Sequence, residues 1–272
     1  MAMMRAPRDL PEEWDAEIYH RVSTPQVTWG SKVLERLTLT GDETVVDAGC
    51  GTGRLTADLL ERLPRGRVIA VDQSTNMLAE AAVHLVPRFG DRISFLHADV
   101  QDLELPEPVD AIFSTATFHW VLDHPRLFRT LFACLKPGGR LVAQCGGGPN
   151  IARLRRRAES LLESPDFRAH TVGWTNPWEF ATPEETSQRL AAVGFTDINT
   201  SLEPASTTFP DARAFSEFTQ SVVLRAHLDA LAGEAHRRAF MAKITTLAAG
   251  DDPPFTLDYW RLNLAATRPL SP

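Results

Sequence analysis

Short apolar runs alternate with amphipathic stretches over roughly the first 150 residues of the chain. The amphipathic stretches repeat their apolar residues at helical spacing, which predicts helices over 27–37, 53–63, 75–86 and 124–135. The apolar runs end at a glycine, an acid or a threonine: TVVDAG (44–49), RVIAVD (67–72), RISFLHAD (92–99), VDAIFST (109–115) and RLVAQCG (140–146). Apolar strands separated by helices predict a parallel sheet that is covered on both faces.

After strand five the periodicity changes. A Trp-rich, turn-like stretch is followed by mostly helical sequence, and the last segment alternates like an edge or hairpin strand. The elements expected here are helices over 149–162, 183–195 and 210–249 (the last broken at Gly233), a strand from 196 and the alternating segment 255–269. Together the elements predict an α/β fold: a doubly wound, mostly parallel, seven-stranded Rossmann-like sheet with helical cap insertions.

Composition and charge narrow the class of protein. The 272 residues carry 28 Lys and Arg against 35 Asp and Glu, a net charge of −7, so the basic surface of a nucleic-acid-binding protein is missing. No apolar run reaches the roughly 18 to 20 residues that span a bilayer, and the polar first residues do not resemble a signal peptide. The three cysteines have no zinc-site spacing. We expect a cytoplasmic protein with no metal, membrane or nucleic-acid partner and an oligomeric state that the sequence leaves open.

The strongest chemical signal is VVDAGCGTG (45–53), in which a strand delivers Asp47 to its tip and the chain turns into a helix through Gly49, Gly51 and Gly53. Glycine permits positive φ and the close approach of a ligand to the backbone. The N–H groups at the helix start can then bind an anionic group. The alternative interpretation is a tight strand-to-helix turn with no ligand.

The glycine spacing differs from that of dinucleotide-binding proteins. Their G-x-G-x-x-G motif requires a third glycine where this sequence has Arg54. An acceptor at Asp47 also suits a ligand with an ammonium group better than one with a pyrophosphate. The pattern resembles the first motif of class I S-adenosylmethionine-dependent methyltransferases, and this resemblance implies S-adenosyl-L-methionine as the cofactor.

Further positions along the chain resemble the later motifs of that family. Asp72 ends strand two, at the distance from the loop where an acid can bind ribose hydroxyls. The resemblance places Gln73 and Met77 in the second motif, with Met77 near the adenine. It makes Asp99 and the Val100 backbone the adenine-binding pair, and it places Thr115 beside the methyl-transfer site. An acid at a strand end, taken alone, is more often simply solvated.

Three stretches point to one branch of the family. WDAEIYHRV (14–22), TFHWVLDHPRLFRTL (117–131) and TNPWEF (175–180) look like the trans-aconitate methyltransferase group, which is itself similar to the malonyl-carrier-protein methyltransferases. The resemblance implies methylation of a carboxylate on a small or carrier-bound acid. A carboxylate is ionised at neutral pH and needs no general base, whereas a phenol or an alcohol needs a proton acceptor within about 3 Å.

Three residues are candidates for the catalytic site. His119 is the one well-placed candidate for a general base, and the alternative is a histidine hydrogen-bonded for structural reasons. Tyr19 can fold over the cofactor as part of a lid or pack against a helix. Trp120 can form a wall of the methyl-transfer site or pack in the core.

Candidates for substrate binding lie in the second half of the chain. Trp174 and Trp178 fall in the turn-rich segment and are expected to form a wall of the substrate site. Arg153 begins the one dense basic cluster, RLRRR (153–157), where arginine can pair with a carboxylate or a phosphate. The alternative for the cluster is a solvated helix face.

These expectations divide the chain into six segments: an N-terminal helical lid segment (1–40), the cofactor-binding Rossmann-like core (41–146), a cap insertion (147–182), a core helix and strand (183–209), a helical cap insertion (210–250) and a final core strand (251–272).

The leading hypothesis is a small-molecule methyltransferase that forms a carboxyl methyl ester. The alternatives are an O-, N- or C-methyltransferase of a specialised metabolite with His119 as base, an NAD(P)-dependent oxidoreductase, and a non-catalytic module that senses the cofactor.

Overall fold

The computed structural model describes residues 24–270, and a seven-stranded sheet forms its centre. The strands of this sheet are β1 (Thr44–Ala48), β2 (Arg67–Asp72), β3 (Ile93–His97), β4 (Val109–Thr115), β5 (Leu135–Gly146), β6 (Thr196–Pro204) and β9 (Trp260–Thr267), while β7 (Thr207–Thr208) and β8 (Thr256–Leu257) form a separate two-stranded sheet. The order across the large sheet is β3-β2-β1-β4-β5-β9-β6. The first five strands are parallel to one another, which confirms the predicted doubly wound, mostly parallel sheet.

The last strand departs from the prediction. Segment 255–269 alternates like an edge or hairpin strand, yet β9 lies inside the sheet and pairs antiparallel with both β5 and β6. The expectation of an edge strand was therefore wrong. Both faces of β9 are covered, so Leu262 and Leu264 face one core while Arg261 and Asn263 are buried on the other face.

Helices cover both faces of the sheet. The described helices are α1 (Thr24–Leu34), α2 (Arg54–Glu61), α3 (Thr75–Phe89), α4 (His124–Cys134), α5 (Ala152–Leu162), α6 (Pro183–Val193), α7 (Ala212–Phe218), α8 (Arg225–Asp229) and α9 (Gly233–Ala249). On one face α1, α2 and α3 bury residues such as Leu34, Leu59 and Leu85 in a single cluster. On the other face α4 and α6 contribute Leu131 and Leu190 to a second cluster.

Two helix ends follow local sequence signals, and the end of α3 does not. Ser74 caps α3 by accepting a hydrogen bond from the Met77 N–H at 3.2 Å, and Gly194 ends α6 with a φ of +108°. The expectation that α3 ends before Pro87 was wrong, because the helix continues to Phe89. Proline is tolerated there since it lies in the last turn and removes only one helical N–H.

A third hydrophobic cluster lies outside the two faces of the sheet and forms the cap. It combines side chains of α5, α7, α8 and α9 with a π-helical turn at Thr219–Val223, and Phe215, Phe240 and Ile244 are fully enclosed in it. The sequence boundaries drawn around the cap insertions stay a prediction. Across residues 24–270, no helix is long and apolar enough to cross a membrane.

Candidate functional site

The glycine loop after β1 has the backbone that its sequence requires. Gly49, Gly51 and Gly53 all have positive φ, at +80°, +54° and +80°. A Cβ at Gly49 would overlap the side chain of Thr117, which follows β4, whereas a Cβ at Gly51 would meet no atom within 4 Å. The loop thus packs tightly against β4 at Gly49 and stays open above Gly51, where a ligand can approach the backbone.

Asp47 lies beneath this loop and is almost fully buried. Its Oδ2 accepts a hydrogen bond of 2.6 Å from the Thr56 hydroxyl of α2, which fixes the loop to the helix. Burial raises the pKa of Asp47 to about 7, with the hydrogen bond from Thr56 opposing that shift and the charge of Asp72 adding to it. A cationic ligand group over the loop would stabilise the ionised form of this carboxylate.

Asp72, at the end of β2, joins the loop to the next helix. Its Oδ2 accepts the Gly51 N–H at 2.9 Å and its Oδ1 accepts the Ser74 N–H at 2.9 Å. These two hydrogen bonds orient the carboxylate at the carboxyl end of the strand, at the edge where a parallel sheet binds its ligands.

Asp99 follows the next strand, β3, and caps the short helical turn Val100–Asp102. The β2–β3 register pairs Asp72 with His97, so Asp99 follows two residues beyond, where it accepts from the Gln101 N–H at 3.0 Å and the Gln101 side-chain amide at 2.7 Å. Asp47 and Asp72 therefore lie near the carboxyl ends of β1 and β2, Asp99 follows the carboxyl end of the adjacent β3, and all three are at one edge of the sheet.

The other predicted cofactor residues occupy two environments. Met77 and Val100 are buried, with 4% and 6% of their surface exposed. Gln73 is exposed, and its carbonyl accepts from the His97 ring at 2.9 Å. The carbonyl of Thr115 at the end of β4 accepts from the Thr117 hydroxyl at 3.0 Å. This set of an open glycine backbone with three acids fits a ligand that carries an ammonium group, a ribose and a purine.

His119 lies in the turn Phe118–Trp120 that follows β4. Its Nδ1 accepts the Gly146 N–H at 3.3 Å, and burial lowers its pKa well below the usual range, with the charges of Arg261 and His124 adding to the effect. The ring is therefore neutral near pH 7, and its proton is on Nε2 because Nδ1 acts as acceptor. A histidine in this state is a hydrogen-bond donor and a weak base.

Aromatic rings connect His119 to the cap. Neighbouring centroids lie 4.7 to 6.0 Å apart in this aromatic row, which consists of His119, Phe180, Trp178, Trp120, His227 and Trp174. The predicted wall residues Trp174 and Trp178 are thus brought together with Trp120 and His119. Sequence reasoning singled out neither Phe180, although it ends the stretch TNPWEF, nor His227, which belongs to none of the quoted stretches.

Arg153 lies away from this row. Its guanidinium contacts Asp251 at 3.5 Å and donates to the Thr256 carbonyl at 2.9 Å, so it holds α5 to the chain before β9. Of the same basic cluster, Arg155 contacts the aromatic row, with its guanidinium 5.7 Å from the Phe180 ring. The substrate-binding roles of these arginines stay predictions. The candidate lid residue Tyr19 lies outside the described residues.

Sequence reasoning also missed Arg261. This side chain is 3% exposed and lies over the Trp29 ring of α1, with 4.7 Å from the guanidinium carbon to the ring centroid. The signal was an arginine at an inward-facing position of the alternating segment YWRLNL.

Within the part of the chain that the structure covers, no three metal-binding side chains are grouped together.

Sequence comparisons match these features to known enzymes. A family model for the methyltransferase domain matches residues 45–139. A trans-aconitate 2-methyltransferase of Deinococcus radiodurans is 30% identical over 234 residues, covering 83% of this chain and 86% of that protein. The protein of the same name in Yersinia pestis strain Pestoides F is 26% identical over 242 residues, covering 85% and 86%.

Solved structures share the fold at lower identity. A Haemonchus contortus phosphoethanolamine N-methyltransferase bound to S-adenosylhomocysteine aligns with a TM-score of 0.61 at 17% identity, covering 93% of this chain and 57% of that one. A Mycobacterium tuberculosis cyclopropane synthase has a TM-score of 0.59 at 21% identity, covering 88% and 84%. The [4+2]-cyclase SpnF has 0.59 at 21%, covering 90% and 81%. These names describe different reactions, so the shared fold leaves the acceptor open.

Proposed function

Because the chain belongs to the S-adenosylmethionine-dependent methyltransferases, in the family of trans-aconitate 2-methyltransferase, we propose that it methylates a carboxylate oxygen of a small organic acid. The state of His119 carries this proposal. His119, the candidate base beside the proposed methyl-transfer edge, is buried and neutral, and its Nδ1 already accepts a backbone N–H. An acceptor that is ionised at neutral pH needs no proton removed, and carboxylates are such acceptors.

The cofactor supplies a methyl group on a sulfonium sulfur, and the protein aligns the acceptor oxygen with the carbon and the sulfur. Positioning of this kind supplies about 7 to 11 kcal/mol of a barrier. In the proposal, the glycine loop and Asp47 hold the amino-acid half of the cofactor, Asp72 its ribose, and Asp99 with the Val100 backbone its adenine. Gln73, Met77 and Thr115 line the same groove.

The aromatic row would exclude water from the acceptor. Trp178 and His119 are buried, and the rings between them leave the acceptor in an environment of low polarity, where a carboxylate is less hydrated and more reactive. A free acid and a carrier-bound acid both present such a carboxylate. A cytoplasmic location remains a prediction from the sequence.

A product assay tests the proposal. The protein is incubated with cofactor labelled in the methyl group and with panels of carboxylic acids, phenols and amines. We expect label in the acid panel, and mild alkaline hydrolysis should release it, since esters are cleaved under conditions where ethers and methylamines survive. A labelled product that resists alkali would contradict ester formation.

Substitution of His119 separates this function from the alternative of a neutral acceptor. We expect His119→Gln to lower kcat by less than about tenfold, whereas loss of a general base costs about 10² to 10⁴. The matched control is His124→Gln, which alters a second buried histidine that contacts the Phe118 carbonyl at 3.0 Å and Arg189 at 2.9 Å. A loss of 10² or more in the His119 variant alone would favour an alcohol or phenol acceptor.

A further inference from the structure

A cavity of about 180 Å³ opens in the cap and shares no lining residue with the glycine loop or the aromatic row. Its walls come from the π-helical turn Thr219–Val223, from α8 and from the first turns of α9. The residues that line it belong neither to the sequence motifs nor to the sites described above. The proposed methyl transfer therefore leaves this cavity unexplained.

Three arginines and two acids line the cavity, and the arginines differ in how they are paired. On α8 the Arg225 side chain contacts Asp229 at 3.7 Å, and on α9 the Arg238 side chain contacts Glu234 at 3.6 Å. Each of these pairs joins residues four positions apart on one helix, a spacing at which opposite charges stabilise each other. The two acids therefore offset two of the three positive charges, and Arg237 supplies the charge in excess.

Arg237 is half-buried, and part of its guanidinium is enclosed without a partner. Its Nε is buried and has no hydrogen-bond partner among residues 24–270. A charged donor in this position destabilises the folded chain, because it has lost its water and gained no acceptor. An anion that enters the cavity would supply the missing acceptor.

The other side chains of the lining suit the same kind of ligand. Gln220 and Ser221 of the π-helical turn offer an amide and a hydroxyl, which can donate hydrogen bonds to an anion. The planar fork of Arg237 matches two oxygens of a carboxylate or a phosphate. Leu228 adds an apolar wall on the side of α8. A small molecule with one oxyanion group fits this combination better than a cation or a wholly apolar ligand.

The short helix α8 connects this cavity to the aromatic row. It contributes Leu228 to the cavity, and the ring of its His227 lies between two tryptophan rings. These rings belong to Trp174 and Trp178, and the Trp174 indole N–H donates to the Ala226 carbonyl of the same helix at 3.3 Å. A ligand held between α8 and α9 therefore restrains the helix against which the aromatic row packs.

We propose that this cavity is an oxyanion site, in which Arg237 binds the phosphate or carboxylate group of a small molecule. The site lies apart from the cofactor groove, so that both can be occupied together. Its existence does not depend on the proposed carboxyl methylation. Because the bound anion contacts the folded chain only, it should raise the melting temperature of the protein.

Thermal unfolding and calorimetric titration test the site, with inorganic phosphate and acetate as the probes and chloride at equal ionic strength as the reference. Saturating S-adenosylhomocysteine is present throughout, so that neither anion can bind at the glycine loop. We expect phosphate or acetate, at ten times its Kd, to raise the wild-type Tm by about 2 to 4 °C over chloride. The anion that binds more tightly identifies the preferred group.

Two substitutions of Arg237 separate a site from a general salt effect. Arg237→Met removes the unpartnered guanidinium, so its Tm in chloride should equal or exceed that of the wild type, while its affinity for the anion should fall at least about tenfold. Arg237→Lys keeps the charge but loses the fork, and its affinity should lie in between. The matched control is Arg213→Met on α7, which removes an arginine of 85% exposure outside the cavity and should keep the full gain in Tm.

Two results would overturn the site. One is a wild-type protein that gains no Tm from either anion. The other is an equal gain in the wild type, Arg237→Met and Arg213→Met, which is the general stabilisation that excluded salts give to any folded protein. Neither measurement involves methyl transfer, so both results leave the proposed function untouched.

Discussion

Replacing His227 with leucine should make the protein more stable, and increasingly so at acid pH. The His227 ring lies in α8 between the rings of Trp174 and Trp178, with centroids at 4.7 and 4.8 Å. It is fully buried, and neither ring nitrogen has a hydrogen-bond partner among residues 24–270. A buried polar group without a partner costs about 1 to 3 kcal/mol, which His227→Leu removes at any pH.

The pH dependence follows from the burial of the imidazole, which lowers the pKa of His227 to about 3. The unfolded chain takes up a proton at this residue near pH 6.5, while the folded chain does not until about pH 3. Stability from this residue is therefore complete above pH 6.5 and is lost as the pH falls toward the folded value. Between pH 7.5 and 5.5 the loss is about 1.4 kcal/mol, and at pH 5.0 it reaches about 2 kcal/mol.

Urea denaturation followed by far-UV circular dichroism at pH 7.5 and 5.5 measures this difference. The free energy of unfolding of His227→Leu should exceed that of the wild type at pH 7.5, and the gap should widen by about 1.4 kcal/mol at pH 5.5. Leu228→Met, at the buried neighbouring position, is the control, because it changes packing but no titrating group. Parallel loss of stability in wild type and His227→Leu across the two pH values would refute the reasoning.

Three further outcomes are expected. Gly49→Ala should lower stability by more than about 2 kcal/mol, because its Cβ would overlap Thr117. Gly51→Ala should cost only about 1 to 2 kcal/mol and should chiefly weaken S-adenosylhomocysteine binding, because its Cβ enters open space. Calorimetry on both variants checks this, and equal effects on stability would contradict it. The raised pKa of Asp47 means that the wild type loses the stability of the protonated acid as the pH rises from 4 to 7. Asp47→Asn does not titrate, so its free energy of unfolding should rise relative to that of the wild type by up to about 4 kcal/mol over the same range. Urea titrations at the two pH values measure this difference. Arg157→Gln should cost about 1.5 to 3 kcal/mol, because the buried Asp251 loses the paired hydrogen bonds of 2.6 and 2.9 Å and, among residues 24–270, keeps only the Arg153 contact at 3.5 Å. A loss below about 1 kcal/mol in denaturant would count against it.

Local sequence predicted the conformation of the glycine loop after β1, because that conformation depends on neighbouring residues. A strand of five or six residues followed by glycines specifies both the position of Asp47 and the turn after it. Asp72 and Asp99 were placed correctly at the same edge since the carboxyl ends of parallel strands meet there whatever the lengths of the helices between them.

The arrangement of β9 and the cap depends on contacts between distant residues, and the sequence predicted it only in part. Nothing in the segment around Arg261 indicates that β9 enters the sheet between β5 and β6, because its partner residues are distant in sequence: Arg261 pairs with Gly146 in β5 and with Glu203 in β6. His227 shows the same limit. The sequence predicted only a helix over 210–249 here, and the contact of His227 with Trp178 arises when the cap folds over the turn-rich segment.

The central position of β9 sets the order in which the sheet can be completed during synthesis. About 55 residues separate the end of β6 at Pro204 from the start of β9 at Trp260. At 5 to 20 residues per second the ribosome needs roughly 3 to 11 s for that stretch. During this interval β5 presents an open edge and β6 has no partner strand, so the nascent chain exposes hydrogen-bonding groups that other chains can pair with. Chaperones that bind extended segments would bind the nascent chain during this interval, which ends when β9 pairs with β5 and β6.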